Sequence, residues 1–178
     1  MLAPWSLILR DDGGDARVGQ RLAASSPRAN LSVRATDGSA QESAMALTFS
    51  GPAQAVIFGQ PVDLSRQRNG DMVLAFSARL DAAPTGPVEL GFGQDRIDIA
   101  PLLAQVRVGE WRQIRVRLAC FDAARADVAA VETPFVVSST PPLALSLADN
   151  GGDLSRQAVI AEPVVCPDFR IGRLNSFA

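Results

Sequence analysis

The chain has 178 residues, 47% of them hydrophobic and 20% charged, with a formal net charge of -2. That length and composition suit one globular domain with a sizeable core and exclude a disordered chain. The near-neutral, arginine-based charge leaves no electrostatic footprint for nucleic acid or an anionic membrane. No run approaches the ~20 apolar residues that span a bilayer.

Read in chain order, short segments of alternating hydrophobicity recur, the period-two signature of strands. A first candidate runs from Trp5 to Leu9. It lies within a start, MLAPWSLILRDDGGD, that lacks the basic leader of a signal peptide, as expected of a piece of a longer exported chain or of a cytoplasmic protein. Leu31, Val33 and Ala35 then oppose Ser32 and Arg34, and Met45, Leu47 and Phe49 oppose Ala46 and Thr48. Val56 and Phe58 follow the turn signal Gly51-Pro52.

The clearest segment is Pro61 to Leu80: a polar loop closed by Asn69-Gly70-Asp71, then Met72, Leu74, Phe76, Ala78 and Leu80 facing one way. It predicts a long strand with one buried face. Val88, Leu90 and Phe92 follow, then Ile114, Val116 and Leu118, then Phe135 to Val137, then Leu143, Leu145 and Leu147. Ala158 to Ile160 and Phe169 to Ile171 are smaller candidates. Helical signals are confined to Ile99–Val106, with Pro101 near its start, and Phe121–Val131. About ten short strands divided by Gly, Pro, Asn and Asp predict an all-β antiparallel sandwich with one or two short helices. Asp11–Pro27, Ala82–Pro87 and Asp149–Arg156 read as surface connections, so residues 1–178 are taken as one domain.

The absence of histidine removes histidine-based triads, general bases and metal ligands. Gly91-Phe92-Gly93 lacks the Lys-Ser/Thr and long helix of a phosphate loop. A glycosidase needs only two carboxylates, and Asp11, Asp12, Asp15, Asp63, Asp71, Asp95 and Asp98 are available. Their Gly, Asn and Arg neighbours mark them as turn and cap residues instead. Asp11, Asp12 and Asp15 are the candidate calcium ligands; the alternative is a solvated turn. Asp149 and Asp153 pose the same choice.

The candidate ligand-binding residues are Arg34, Arg79 and Arg115, on the polar faces of three predicted strands, with Trp111 at a strand start. Arginine forks can grip hydroxyls, carboxylates or a partner surface, and tryptophan can stack on a sugar. The bland counterparts are a solvated outer face for the arginines, Arg117 included, and a seal on the sandwich core for Trp111. Trp5 could face a neighbouring domain. Cys120 and Cys166 can pair or remain two buried thiols.

Several motifs carry a family likeness. Asp63-Leu64-Ser65-Arg66-Gln67 with Asn69-Gly70-Asp71-Met72 resembles the C-terminal module of bacterial family 3 glycoside hydrolases, the beta-glucosidases and exo-1,3/1,4-beta-glucanases. The likeness continues, in order, through Ala35-Thr36-Asp37, Ala83-Pro84-Thr85-Gly86-Pro87-Val88, Ile97-Asp98-Ile99, Trp111-Arg112, Leu118-Ala119-Cys120-Phe121, Pro134-Phe135 and Leu143 to Ala148. It spans roughly Ala3 to Asp149.

The resemblance implies a jelly-roll sandwich of the galactose-binding-like kind, similar to carbohydrate-binding modules, with no catalytic residue and no cofactor beyond the candidate calcium. It implies an accessory module that packs on the catalytic domains of its parent, in a periplasmic or secreted setting, and binds beta-glucan weakly. The alternative is a structural or oligomerisation domain with no sugar ligand. Cys166-Pro167 resembles the family's terminal Cys-Pro, and export would favour a Cys120–Cys166 disulfide. Many relatives carry a cysteine pair near Gly91–Gln94, which this chain lacks.

Overall fold

The computed structural model describes residues 6–19, 21–37, 43–69, 73–140 and 142–148. Among these residues, twelve strands form two six-stranded antiparallel sheets. They are β1 (Ser6–Asp11), β2 (Gly14–Arg17), β3 (Ala24–Ser25), β4 (Leu31–Asp37), β5 (Ser43–Phe49), β6 (Ala53–Phe58), β7 (Val73–Leu80), β8 (Val88–Phe92), β9 (Asp95–Asp98), β10 (Trp111–Arg117), β11 (Phe135–Ser139) and β12 (Leu143–Ala148). Three short helices, α1 (Ser65–Asn69), α2 (Ala100–Leu103) and α3 (Ala123–Ala126), and a 3-10 turn at Leu118–Cys120 join them.

The first sheet runs β2-β1-β6-β11-β8-β9 and the second β10-β7-β12-β5-β4-β3. From β5 onward the chain passes repeatedly between the sheets, so sequence neighbours are mostly not sheet neighbours, as in a jelly roll. The inward faces meet in one core. Leu9, Ala55, Val137, Leu90 and Ile97 come from the first sheet, and Ile114, Leu74, Leu145, Leu47 and Val33 from the second. Phe76 of β7 and Phe135 of β11 meet edge to face across the sandwich, with centroids 5.2 Å apart.

The alternation predicted for the long strand holds: Leu74, Phe76, Ala78 and Leu80 all lie in the core. Its other face departs from the prediction of exposure, since Val73, Ala75 and Ser77 are buried too. They are small and lie opposite Arg117, Arg115 and Gln113 of edge strand β10. Their neighbours' longer side chains can cover them. Ala35, expected in the core, is exposed near the end of β4. Met72 and the candidates at 158–160 and 169–171 lie outside the described residues.

Strands β2, β3 and β9 were not expected. Their sequences, GDAR, AS and DRID, are too short or too polar to show a period. Helix α1 occupies the predicted polar loop, where Asp63 accepts the Ser65 N–H at 3.0 Å and opens the first turn. The segments 59–64 and 128–132 pair through Val62 and Val131, closing one end of the sandwich.

Candidate functional site

The cross-strand registers decide which polar residues meet. On the outer face of the second sheet, one row reads Trp111, Arg79, Ser146, Ala46, Arg34 across β10, β7, β12, β5 and β4. Three of the four candidate ligand-binding residues thus share a single row about 19 Å long, at roughly 4.8 Å per strand. Arg115 stands four residues beyond Trp111 on β10, where its Nε donates to Gln113 Oε1 at 2.9 Å.

Trp111 does not seal the core. It lies on the outer face, half-buried, with the Arg79 guanidinium 5.1 Å above its ring. Arg79 Nε donates to Asp81 Oδ1 at 3.0 Å and Nη2 to the Ser146 hydroxyl at 3.2 Å; that hydroxyl donates to Asp81 Oδ2 at 2.9 Å. One face of the indole is therefore already occupied by a cation held in place. Arg34 is exposed at the far end of the row.

The three candidate calcium ligands fall in one hairpin, where each is engaged by protein partners. Asp11 Oδ1 accepts Gly13 N–H and Oδ2 accepts Arg28 N–H, both at 2.8 Å. Asp12 faces Arg28 at 3.4 Å. Asp15 takes a two-pronged contact from Arg10, at 2.7 and 3.2 Å. Among the described residues no group of three or more potential ligands converges on a cation site. The hydrogen bond from Arg10 holds the Asp15 carboxyl below its usual pKa. Burial opposes the charge of Asp11, but hydrogen bonds from Ser26, Gly13, Arg28 and Asn30 together keep its pKa low. The Ser65 hydroxyl and N–H do the same for Asp63. These shifts run opposite to what a general acid requires.

Asp98 Oδ1 accepts the N–H groups of Val88 and Ala100, and so ties β8 to the start of α2. Cys120 is buried beside Phe121. Trp5, Asp71, Asp149, Asp153 and Cys166 lie outside the described residues.

A second polar cluster, not anticipated from the sequence, surrounds the β8–β9 turn. Glu89, Gln94, Arg96 and Arg125 line a depression of about 380 Å³. The glycines of Gly91-Phe92-Gly93 build it. A Cβ on Gly91 would strike the Arg96 guanidinium and Val136, so the missing side chain is what lets Arg96 fold over the sheet. Gly93 has φ +60°, and a Cβ there would strike the Ala126 carbonyl, so only glycine lets α3 pack this closely. Arg96 Nη1 donates to the carbonyls of Gly93 and Asp95, at 2.7 and 2.9 Å.

Asp95, 2% exposed, accepts the Asp122 N–H at 2.7 Å and faces Arg125 at 3.9 Å. Asp122 in turn caps α3 by accepting the N–H groups of Ala124 and Arg125. This chain of bonds brings Arg125 beside Arg96. The spacing of two glycines followed by an arginine was the available signal, but the partner at 125 is set by tertiary contact alone.

Comparison with known proteins places the chain. The family model described as galactose-binding domain-like, Exop_C, matches residues 3–150. The chain belongs to this family. No curated protein matches the sequence. Among solved structures, it is similar to the isolated extra C-terminal domain (X) of the exo-1,3/1,4-beta-glucanase ExoP from a Pseudoalteromonas species. The TM-score is 0.65 at 17% identity, covering 82% of this chain and 83% of that one. It is also similar to a longer chain of the exo-1,3/1,4-beta-glucanase ExoP from the same organism, with TM-score 0.66 at 17% identity over 82% of this chain. There it spans 18% of the longer chain. The family match shows the galactose-binding-like sandwich, and the fold is that of the extra C-terminal domain of an exo-glucanase.

Proposed function

We propose that the chain is a non-catalytic accessory module of a family 3 beta-glucosidase or exo-glucanase, packing on the parent's catalytic domains in a periplasmic or secreted setting. The observation that carries this reading is the family match over residues 3–150, joined to a structural likeness that takes in most of an isolated extra domain. The disposition of the aspartates in turns, caps and ion pairs supports a role without catalysis.

Weak binding of beta-linked glucan is the finer part of the proposal, and the row Trp111–Arg79–Arg34 is its candidate surface. Calorimetric titration of the chain with laminari- and cello-oligosaccharides tests it. Saturable heat that is lost in Trp111→Ala and Arg34→Ala supports sugar binding at this face. Absence of heat with every oligosaccharide leaves the packing role alone. The packing role has its own test: a continuous reading frame that joins this domain to a family 3 catalytic barrel. A frame without one overturns it.

One observation favours the purely structural alternative. The Arg79 guanidinium already covers one face of Trp111. The broad apolar patch expected of an interaction domain is not seen among the described residues, where the only exposed large hydrophobic residue is Val108, at 55%. A partner surface on this domain is then polar and arginine-rich, not a broad apolar patch.

A further inference from the structure

We propose that the depression at the β8–β9 turn is a binding site for an acidic sugar unit, with Arg96 and Arg125 gripping the carboxylate and Glu89 and Gln94 meeting the hydroxyls. The site stands apart from the Trp111–Arg79–Arg34 row, which belongs to the opposite sheet.

Four observations carry the inference. The first is the state of Arg96. Only its Nη1 is engaged, by two backbone carbonyls, and these fix the plane of the guanidinium. Among the described residues its Nε and Nη2 have no partner. That edge is the one that forms paired hydrogen bonds with a carboxylate.

The second is preorganisation. Gly91 provides the floor on which Arg96 lies, and Gly93, Asp95 and Asp122 lock α3, and with it Arg125, against the turn. The rotamer of a long arginine is held before any ligand arrives, which lowers the cost of binding.

The third is charge. Burial depresses the Arg96 pKa against the opposing pull of Glu89 and Asp95, and Arg10 adds to the depression. No ion pair within 4.0 Å joins Glu89 to Arg96. The cation is thus partly desolvated without a close counter-ion, a position that an incoming anion would complete.

The fourth is the balance of donors and acceptors. Two guanidinium groups face one carboxylate in the lining, an excess of positive charge that a neutral polyol would leave uncompensated. Glu89 would in turn repel a bare small anion and accept bonds from hydroxyls. An anion that carries hydroxyls satisfies both, and 380 Å³ lies at the lower end of the roughly 300–1,000 Å³ of small-molecule sites.

The test is titration of the 178-residue chain with glucuronate, glucose and acetate, followed by calorimetry or ligand-observed NMR. Glucuronate is expected to saturate the site at least about tenfold more tightly than glucose or acetate, the ratio of one charge-assisted pair. Arg96→Gln and Arg96→Lys are expected to lose at least about tenfold, the lysine because it keeps the charge without the fork. Arg125→Gln is expected to weaken binding several-fold in a chain that still unfolds cooperatively, with a fall in the unfolding midpoint from loss of the 3.9 Å contact to buried Asp95. Equal affinity for glucose, equal affinity for acetate, no saturation by glucuronate, or undiminished binding by Arg125→Gln would each overturn the proposal. None of these outcomes bears on the accessory role, which is read from the laminari-oligosaccharide titration and the reading frame.

Discussion

The Arg79 guanidinium sits 5.1 Å above the Trp111 ring, on directly paired positions of β7 and β10. Asp81 and Ser146 each accept a hydrogen bond from it and are joined by a third, so the stack ties the edge strand β10 to the interior of its sheet. Trp111→Ala is expected to lower stability by about 1–2 kcal/mol, and Trp111→Phe by less, measured by denaturant unfolding. A double-mutant cycle with Arg79→Ala should return a coupling of about 0.5–2 kcal/mol. A coupling of zero would show that the two side chains are merely adjacent.

Gly93 is expected to be the least replaceable glycine described. Gly93→Ala strains a left-handed residue and drives a methyl group into the Ala126 carbonyl, so a loss of at least ~2 kcal/mol is expected in thermal or chemical unfolding. Gly19→Ala is the control: nothing lies within 4 Å of its added carbon, and a change within ~0.5 kcal/mol is expected.

Cys120 and Cys166 are expected to pair under oxidising conditions. The intact mass of the unreduced chain should be lighter than that of the reduced chain by two hydrogens, and neither thiol should react with an alkylating agent in denaturant. A bridge closing so long a loop contributes up to ~4 kcal/mol in the chain-entropy model, so reduction should lower the unfolding midpoint by roughly 8–16 °C. Alkylation of both cysteines without prior reduction would refute the pairing.

The β1–β2 hairpin should weaken in acid. Asp11 and Asp15 have native pKa values below the ordinary 3.8. Their contribution is therefore complete above the unfolded carboxylate value near ~3.9 and is lost as pH falls through the lower native values. The Gly13 amide, bonded to Asp11 Oδ1, reports this directly. Its NMR shift should titrate with a midpoint below 3.8, and the transition should vanish in Asp11→Asn. A midpoint at or above 3.8 would contradict the geometry.

Most of the sandwich was legible because its strands bury one face and so alternate. Leu74, Phe76, Ala78 and Leu80 were assigned to the core from spacing alone, and they lie there. Strand β9 escaped because Asp95 is a buried charge in a position where the period demands an apolar residue. What buries it is the Asp122 amide, 27 positions away, which no local pattern announces. The candidate row was half legible: the outward direction of Arg34 and Arg79 followed from their strands, but Trp111 stood open between a ligand platform and a core seal. Its outward direction depends on β10 starting in register with Arg79.

The sequence by itself determined the all-β class, the inward residues of the longer strands and the family, because side-chain direction on a strand and motif order are local properties of the chain. Tertiary structure alone decided that Trp111, Arg79 and Arg34 share one row, and that Glu89, Gln94, Arg96 and Arg125 surround one depression. Strand order and register come from burying two sheets against each other while every backbone group finds a partner. That balance is struck over the whole chain, and no short segment records its outcome.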